Sequence, residues 1–101
     1  SSSSSSKSTQ PSQEMVDILV RSNTGMKSCF SSYKSANGSY PSESVRVRFT
    51  LRSSGKAKAG MVLNERYKDT DLDICLSYRV TSIKFPSFEG SDSTYTVSIH
   101  M

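Results

Sequence analysis

Eight consecutive residues constrain this chain most: Val45, Val47, Phe49 and Leu51 alternate without exception with Arg46, Arg48, Thr50 and Arg52. Successive side chains of a strand point to opposite faces, so this pattern predicts a strand with one face buried and the other in water. A helix has no such period. Ser53-Ser54-Gly55-Lys56 then supplies the turn of a hairpin, and a return strand is expected over about Ala57 to Asn64. Its apolar set is read as Ala57, Ala59, Met61 and Leu63, with Gly60 and Val62 blurring the contrast. Near the end of the chain Tyr95, Val97 and Ile99 alternate with Thr94, Thr96, Ser98 and His100, which predicts a third strand.

Between the strands the period changes. From Ser12 to about Tyr33, Met15, Ile18, Leu19, Met26, Cys29, Phe30 and Tyr33 recur at steps of three and four, the spacing of one helix face. Ser12 suits the N-cap, with Glu14 and Asp17 near the positive end of the dipole. Ser22-Asn23-Thr24-Gly25 interrupts the run with poor helix formers, so one irregular helix and two helical pieces both fit. Ser35 to Pro41 is a run of turn residues in which Gly38 suits a positive φ. A second helix is expected from Asp69-Thr70-Asp71-Leu72-Asp73, where Thr70 and Asp73 have capping-box spacing. Leu72, Cys75, Leu76, Arg79, Val80 and Ile83 mark its face, and Phe85-Pro86 stops it. The order α-β-β-α-β predicts an α+β fold, a three-stranded antiparallel sheet with two helices packed on one face.

Serine accounts for 24 of the 101 residues, and eight of them fall in the first 12 positions. Residues 1–11 hold nothing apolar that could offset the entropy of ordering them, and are read as a flexible serine-rich linker or an added tail. Residues 12–101 then form one domain with a single small core. With a mean hydropathy of -0.48, the sequence has no apolar run near the ~18 to 20 residues of a membrane span. Two cysteines and one histidine cannot build an ordinary four-ligand zinc site, and neither a glycine-rich phosphate loop nor a histidine-bearing catalytic constellation is present. No enzyme, metal or cofactor is expected, and His100 reads as a surface residue. The first residue is serine rather than methionine. The chain is therefore expected to be a segment of a longer polypeptide or a matured product, with any membrane anchor outside it.

The formal net charge is +4. Arg46, Arg48 and Arg52 share one face of the first strand, with Lys56 and Lys58 across the hairpin. Such a basic patch could meet phosphates, acidic polymers or an acidic partner. It could equally be a solvated face that discourages edge-to-edge aggregation. Tyr67, Tyr78 and Tyr95 do not interleave with it as base-stacking residues would, so nucleic acid is not favoured over other partners. Cys29 and Cys75 lie on the apolar faces of the two helices. Packed side by side, these could bring the Cα atoms within the ~4.4 to 6.8 Å of a disulfide. Two buried, reduced thiols fit the spacing as well.

Several of these segments, taken together, resemble a known family. Val20-Arg21-Ser22 leads to Lys27-Ser28-Cys29-Phe30; Val45 to Leu51 is followed by Gly55; then come Asp71-Leu72-Asp73-Ile74-Cys75 and Lys84-Phe85-Pro86. The series is similar to the TonB-like C-terminal domain of the AgmX/PglI type. Those domains carry a Cys-aromatic pair late in helix one, a V-x-V-x-F strand, a Gly-led hairpin, a second cysteine in helix two and a W-[RK]-F-P ending. The resemblance covers about residues 15 to 101 and departs at Ile83, where the family usually has an aromatic residue, often Trp. It implies a Cys29–Cys75 disulfide, because the family works in the periplasm, where such bonds persist. By resemblance, the missing N-terminal part would hold an inner-membrane anchor and a linker. The whole would couple an energised motor complex to a periplasmic or outer-membrane partner, in gliding motility or TonB-type transport. The resemblance also implies that a partner segment adds as a strand beside Thr94, Tyr95, Thr96, Val97, Ser98, Ile99 and His100. Without a partner, that edge stays bare or pairs with a second copy of the chain as a homodimer.

Overall fold

The computed structural model describes residues 9–101. Residues 1–8, most of the stretch read as a linker or tail, lie outside the described residues. The elements are α1 (Gln13–Arg21), α2 (Thr24–Asn37), β1 (Val45–Leu51), β2 (Ala57–Val62), α3 (Asp71–Val80) and β3 (Ser93–Ile99). The fold is α+β, with three antiparallel strands in the order β2-β1-β3. Three helices stand where the α-β-β-α-β order counts two, because the first helical region takes its two-piece form, broken at Ser22 and Asn23. Asn23 accepts a hydrogen bond from Met26 N at 3.2 Å and so caps a fresh helix rather than continuing the old one.

The N-caps of α1 and α3 follow the sequence, whereas α3 stops at Val80 with Thr81 as its C-cap, short of Ile83 and of the Phe85-Pro86 expected to end it. Ser12 Oγ accepts from Met15 N at the start of α1, and Thr70 Oγ1 from Asp73 N at the start of α3. Gly38 ends α2 in the left-handed region at φ 89°. That places α2 three residues into the stretch expected to be turn.

Two apolar faces differ from expectation. In α1 the buried residues are Val16 and Val20, while Met15 is 47% and Ile18 58% exposed. Five of its nine residues are apolar, so its pattern fits more than one rotation, and the valines win the contact with the sheet. In β2 the register slips between Arg48 and Thr50, at Ala59, whose φ is 54°. This bulge turns the strand over, burying Ala57 and Val62 and leaving Ala59, Met61 and Leu63 exposed.

Inward residues of all three strands meet the helices in one core. Val45, Val47, Phe49 and Leu51 of β1 join Val97 and Ile99 of β3, with Phe49 stacked between Phe85 and Tyr95. α3 lies close on β2. A Cβ added at Gly60 would stand 2.7 Å from Val80 Cγ1 and 3.1 Å from the Ser77 carbonyl oxygen, so this approach requires glycine.

Candidate functional site

The two edges of the sheet differ in how their main chain is satisfied. In antiparallel ladders, alternate residues turn N–H and C=O to one neighbour and then the other. Leu63 N donates to the Arg46 carbonyl at 2.9 Å, which fixes the phase: Arg46 and Arg48 face β2, whereas Val45, Val47, Phe49 and Leu51 face β3. Across β1, Ile99, Val97, Tyr95 and Ser93 therefore turn inward to the ladder. Thr94, Thr96 and Ser98 turn their main-chain groups outward.

On the β2 side the last outward N–H finds a partner. Val62 N donates to Asp73 Oδ1 at 3.1 Å, and Asp73 Oδ2 accepts from Asp69 N at 2.9 Å. The Asp73 carboxylate thus ties the edge strand to the start of α3 instead of closing the reciprocal half of a capping box on Thr70. Just beyond β2, Asn64 Oδ1 accepts from Arg46 N at 2.8 Å and Asn64 Nδ2 donates to the Ser44 carbonyl at 2.9 Å. A side chain here stands in for further ladder.

On the β3 side the outward groups are nearly bare. Among the described residues, the one hydrogen bond reaching them comes from Gln13 Nε2, which donates to the Thr96 carbonyl at 2.9 Å and also to Asp17 Oδ1 at 2.8 Å. Thr94, Thr96 and Ser98 are exposed, whereas the side chains of Tyr95, Val97 and Ile99 are buried under the helices. Tyr95 Oη donates to the Pro11 carbonyl at 2.8 Å, fixing the chain where it enters α1, and burial raises its pKa above the ordinary 10.0. His100 follows the strand, exposed.

The open face of the sheet is basic. Arg46 lies opposite Ser98, Arg48 opposite Thr96 and Met61, and Thr50 opposite Lys58. Arg52 N donates to the Lys56 carbonyl at the hairpin end, so all five cations of the predicted patch share this face. Among the described residues the single ion pair is Lys58 with Asp92, 3.5 Å apart and well exposed. Arg46 and Arg48 have no carboxylate within that reach.

Cys29 and Cys75 join α2 to α3, their sulfurs at bonding distance and their Cα atoms 5.8 Å apart. Beside them is a recess of about 520 Å³, lined by Tyr33, Arg66, Tyr67 and Asp71 among others. Tyr33 and Tyr67 meet edge to face at 5.9 Å. Burial, with Tyr33 and Glu43 nearby, raises the Tyr67 pKa above 10.0. Among the described residues no three His, Cys, Asp or Glu side chains could hold a metal ion together, and no helix is long and apolar enough to cross a membrane.

Sequence reasoning missed three residues of this arrangement: Gln13, Asn64 and Asp73. Asp73 carried a signal in its spacing from Thr70, though for a different bond. Gln13 and Asn64 act on main chain 83 and 18 residues away, which no local pattern announces. Comparison with family models, with curated proteins and with solved structures finds no match to this chain.

Proposed function

We propose that this domain is a non-enzymatic interaction module that captures an extended segment of a partner protein as a fourth strand beside β3. The observation that carries this reading is the row of outward N–H and C=O groups at Thr94, Thr96 and Ser98, where only the Thr96 carbonyl has a partner. Main-chain pairing supplies affinity in such complexes, and side-chain contacts at alternate positions supply selectivity. On the opposite edge Asp73 holds the Val62 N–H and the bulge at Ala59 breaks the regular ladder, so β3 offers the more regular template.

The resemblance to TonB-like C-terminal domains supports a finer reading. The chain is the periplasmic end of an inner-membrane-anchored protein that couples a motor complex to a periplasmic or outer-membrane partner, in gliding motility or TonB-type transport. Two cysteine sulfurs at bonding distance favour an oxidising compartment over a reducing one.

The edge is tested by Thr96→Pro. The N–H that this substitution removes points away from β1, and edge strands tolerate proline for that reason. The variant is expected to fold while losing partner binding. Binding is read from amide chemical shifts at Thr94 and Ser98 as segments of candidate partners are titrated in. Undiminished binding by Thr96→Pro, or shifts that never reach β3 with any segment, sinks the reading.

A further inference from the structure

We infer that the segment added to β3 is acidic, carrying Asp or Glu at every second position along the open face of the sheet. This rests on the strand-addition reading and names the partner chemistry of that site.

The argument starts from the pairing of β1 with β3. Arg46 stands opposite Ser98 and Arg48 opposite Thr96, all four exposed on the open face. Each long cation is thus flanked, on the side of the bare edge, by a short hydroxyl residue. Neighbouring strands lie about 4.8 Å apart, so the side chains of an added strand would stand about 9.5 Å from the arginine row. Only Thr94, Thr96 and Ser98 lie between. A guanidinium can extend over a threonine or serine to meet a carboxylate reaching from the other side, where a bulkier β3 residue would stand in the way.

The charges are arranged for such a partner. Arg46 and Arg48 are two apart on one strand, so they share a face and repel each other. Neither has a carboxylate in salt-bridge range, and Asp92 is engaged with Lys58 of β2. A row of acids on a fourth strand relieves this repulsion, and complementary charge selects among partners whose main chain pairs equally well. The inward positions of that strand have other requirements. They run beside the first turn of α1, where Asp17 Oδ1 holds the Gln13 amide that reaches the Thr96 carbonyl. A carboxylate there would meet a like charge, so the expected pattern is acidic outward and uncharged inward. A self-paired β3 edge brings no acid to the arginines, because the outward residues of a second copy are again Thr94, Thr96 and Ser98.

The test uses peptides of about ten residues, the length of a long strand, that share one β-forming sequence and carry Glu, Gln or Lys at every second position. The full chain is titrated with each while its amide shifts are followed. The Glu peptide is expected to bind about tenfold more tightly than the Gln peptide, with the Lys peptide weakest and the differences shrinking as salt rises. Arg46→Gln with Arg48→Gln should erase the preference for Glu over Gln, and Arg48→Glu should turn the preference towards Lys. If all three peptides move Thr94, Thr96 and Ser98 with equal affinity, the acidic partner is ruled out while strand addition stands. If none moves them, strand addition itself fails. If a single-stranded oligonucleotide outcompetes the Glu peptide, or that peptide shifts the arginines without the β3 amides, the face takes polyanions independently of the edge and the inference is overturned.

Discussion

At Gly55 the backbone takes φ 93°; its N–H donates to the Arg52 carbonyl at 2.8 Å and its carbonyl accepts from Phe85 N at 3.1 Å. The residue therefore closes the β1–β2 hairpin and docks the segment after α3 against it. A Cβ at this position would overlap the Phe85 carbonyl oxygen and stand 3.3 Å from Ser87 N. Both obstacles are backbone, which cannot rotate aside. Gly55→Ala should lower the free energy of unfolding by about 3 kcal/mol, combining a left-handed conformation with an overlap. Gly38→Ala is the control, because φ is similar at 89° but nothing lies within 4 Å of an added Cβ. It should cost only about 1 kcal/mol. Urea denaturation of the two variants measures the difference, and equal losses would mean that the Phe85 segment gives way easily. The turn at Gly55 is legible from Ser53-Ser54-Gly55-Lys56. Its contact with Phe85 is not, since 30 residues and a helix separate the two in the chain.

Among the elements, α1 offers the sharpest contrast between pattern and packing. Val20 is fully buried and Ile18, two residues earlier, is 58% exposed. Val20→Ala should destabilise the domain by about 2 kcal/mol through lost burial and the cavity left behind, whereas Ile18→Ala should change stability by less than about 0.5 kcal/mol. Matched chemical denaturation curves decide it, and the reverse order would show α1 rotated to the face that the three- and four-residue spacing suggests. Period alone could not choose, because Met15, Val16, Ile18, Leu19 and Val20 spread over an apolar arc of more than half the turn, wide enough for either end of it to face the sheet. β2 misleads for another reason. Its alternation is sound on either side of Ala59, but one extra residue in a bulge moves everything after it to the opposite face. β1 and β3 have no such irregularity, and their buried and exposed residues follow the alternation of the sequence. What the sequence could not reveal about the site is the side of the hairpin on which β3 lies. A third strand is an edge strand on either side, but only beside β1 does it run next to Arg46 and Arg48.

Over the whole molecule α2 depends chiefly on one neighbour. β3 pairs with β1 and packs on α1, and α3 packs on β2, whereas α2 meets the rest of the fold mainly through α3. Part of that seam is open, for the recess beside Cys75 takes the place of close packing between Tyr33, Arg66 and Asp71. The Cys29–Cys75 link crosses this seam and joins residues 46 apart in sequence. In the chain-entropy account, closing a loop of that length removes about 4 kcal/mol of freedom from the unfolded chain, which is a large share of the roughly 5 to 15 kcal/mol that holds a domain together. Cys29→Ala with Cys75→Ala should therefore unfold about 4 kcal/mol more easily than the oxidised protein, and reductant should bring the parent protein close to the variant. Hydrogen exchange should show the loss first in α2, with the β1 amides protected longest. Peptide binding at β3 should persist wherever the variant is still folded, because no part of that edge rests on α2. Equal denaturation midpoints with and without the link, or two free thiols by mass spectrometry in protein made under oxidising conditions, would remove the disulfide from the account and leave α2 held by apolar packing, through Met26, Cys29, Phe30 and the Tyr33–Tyr67 contact.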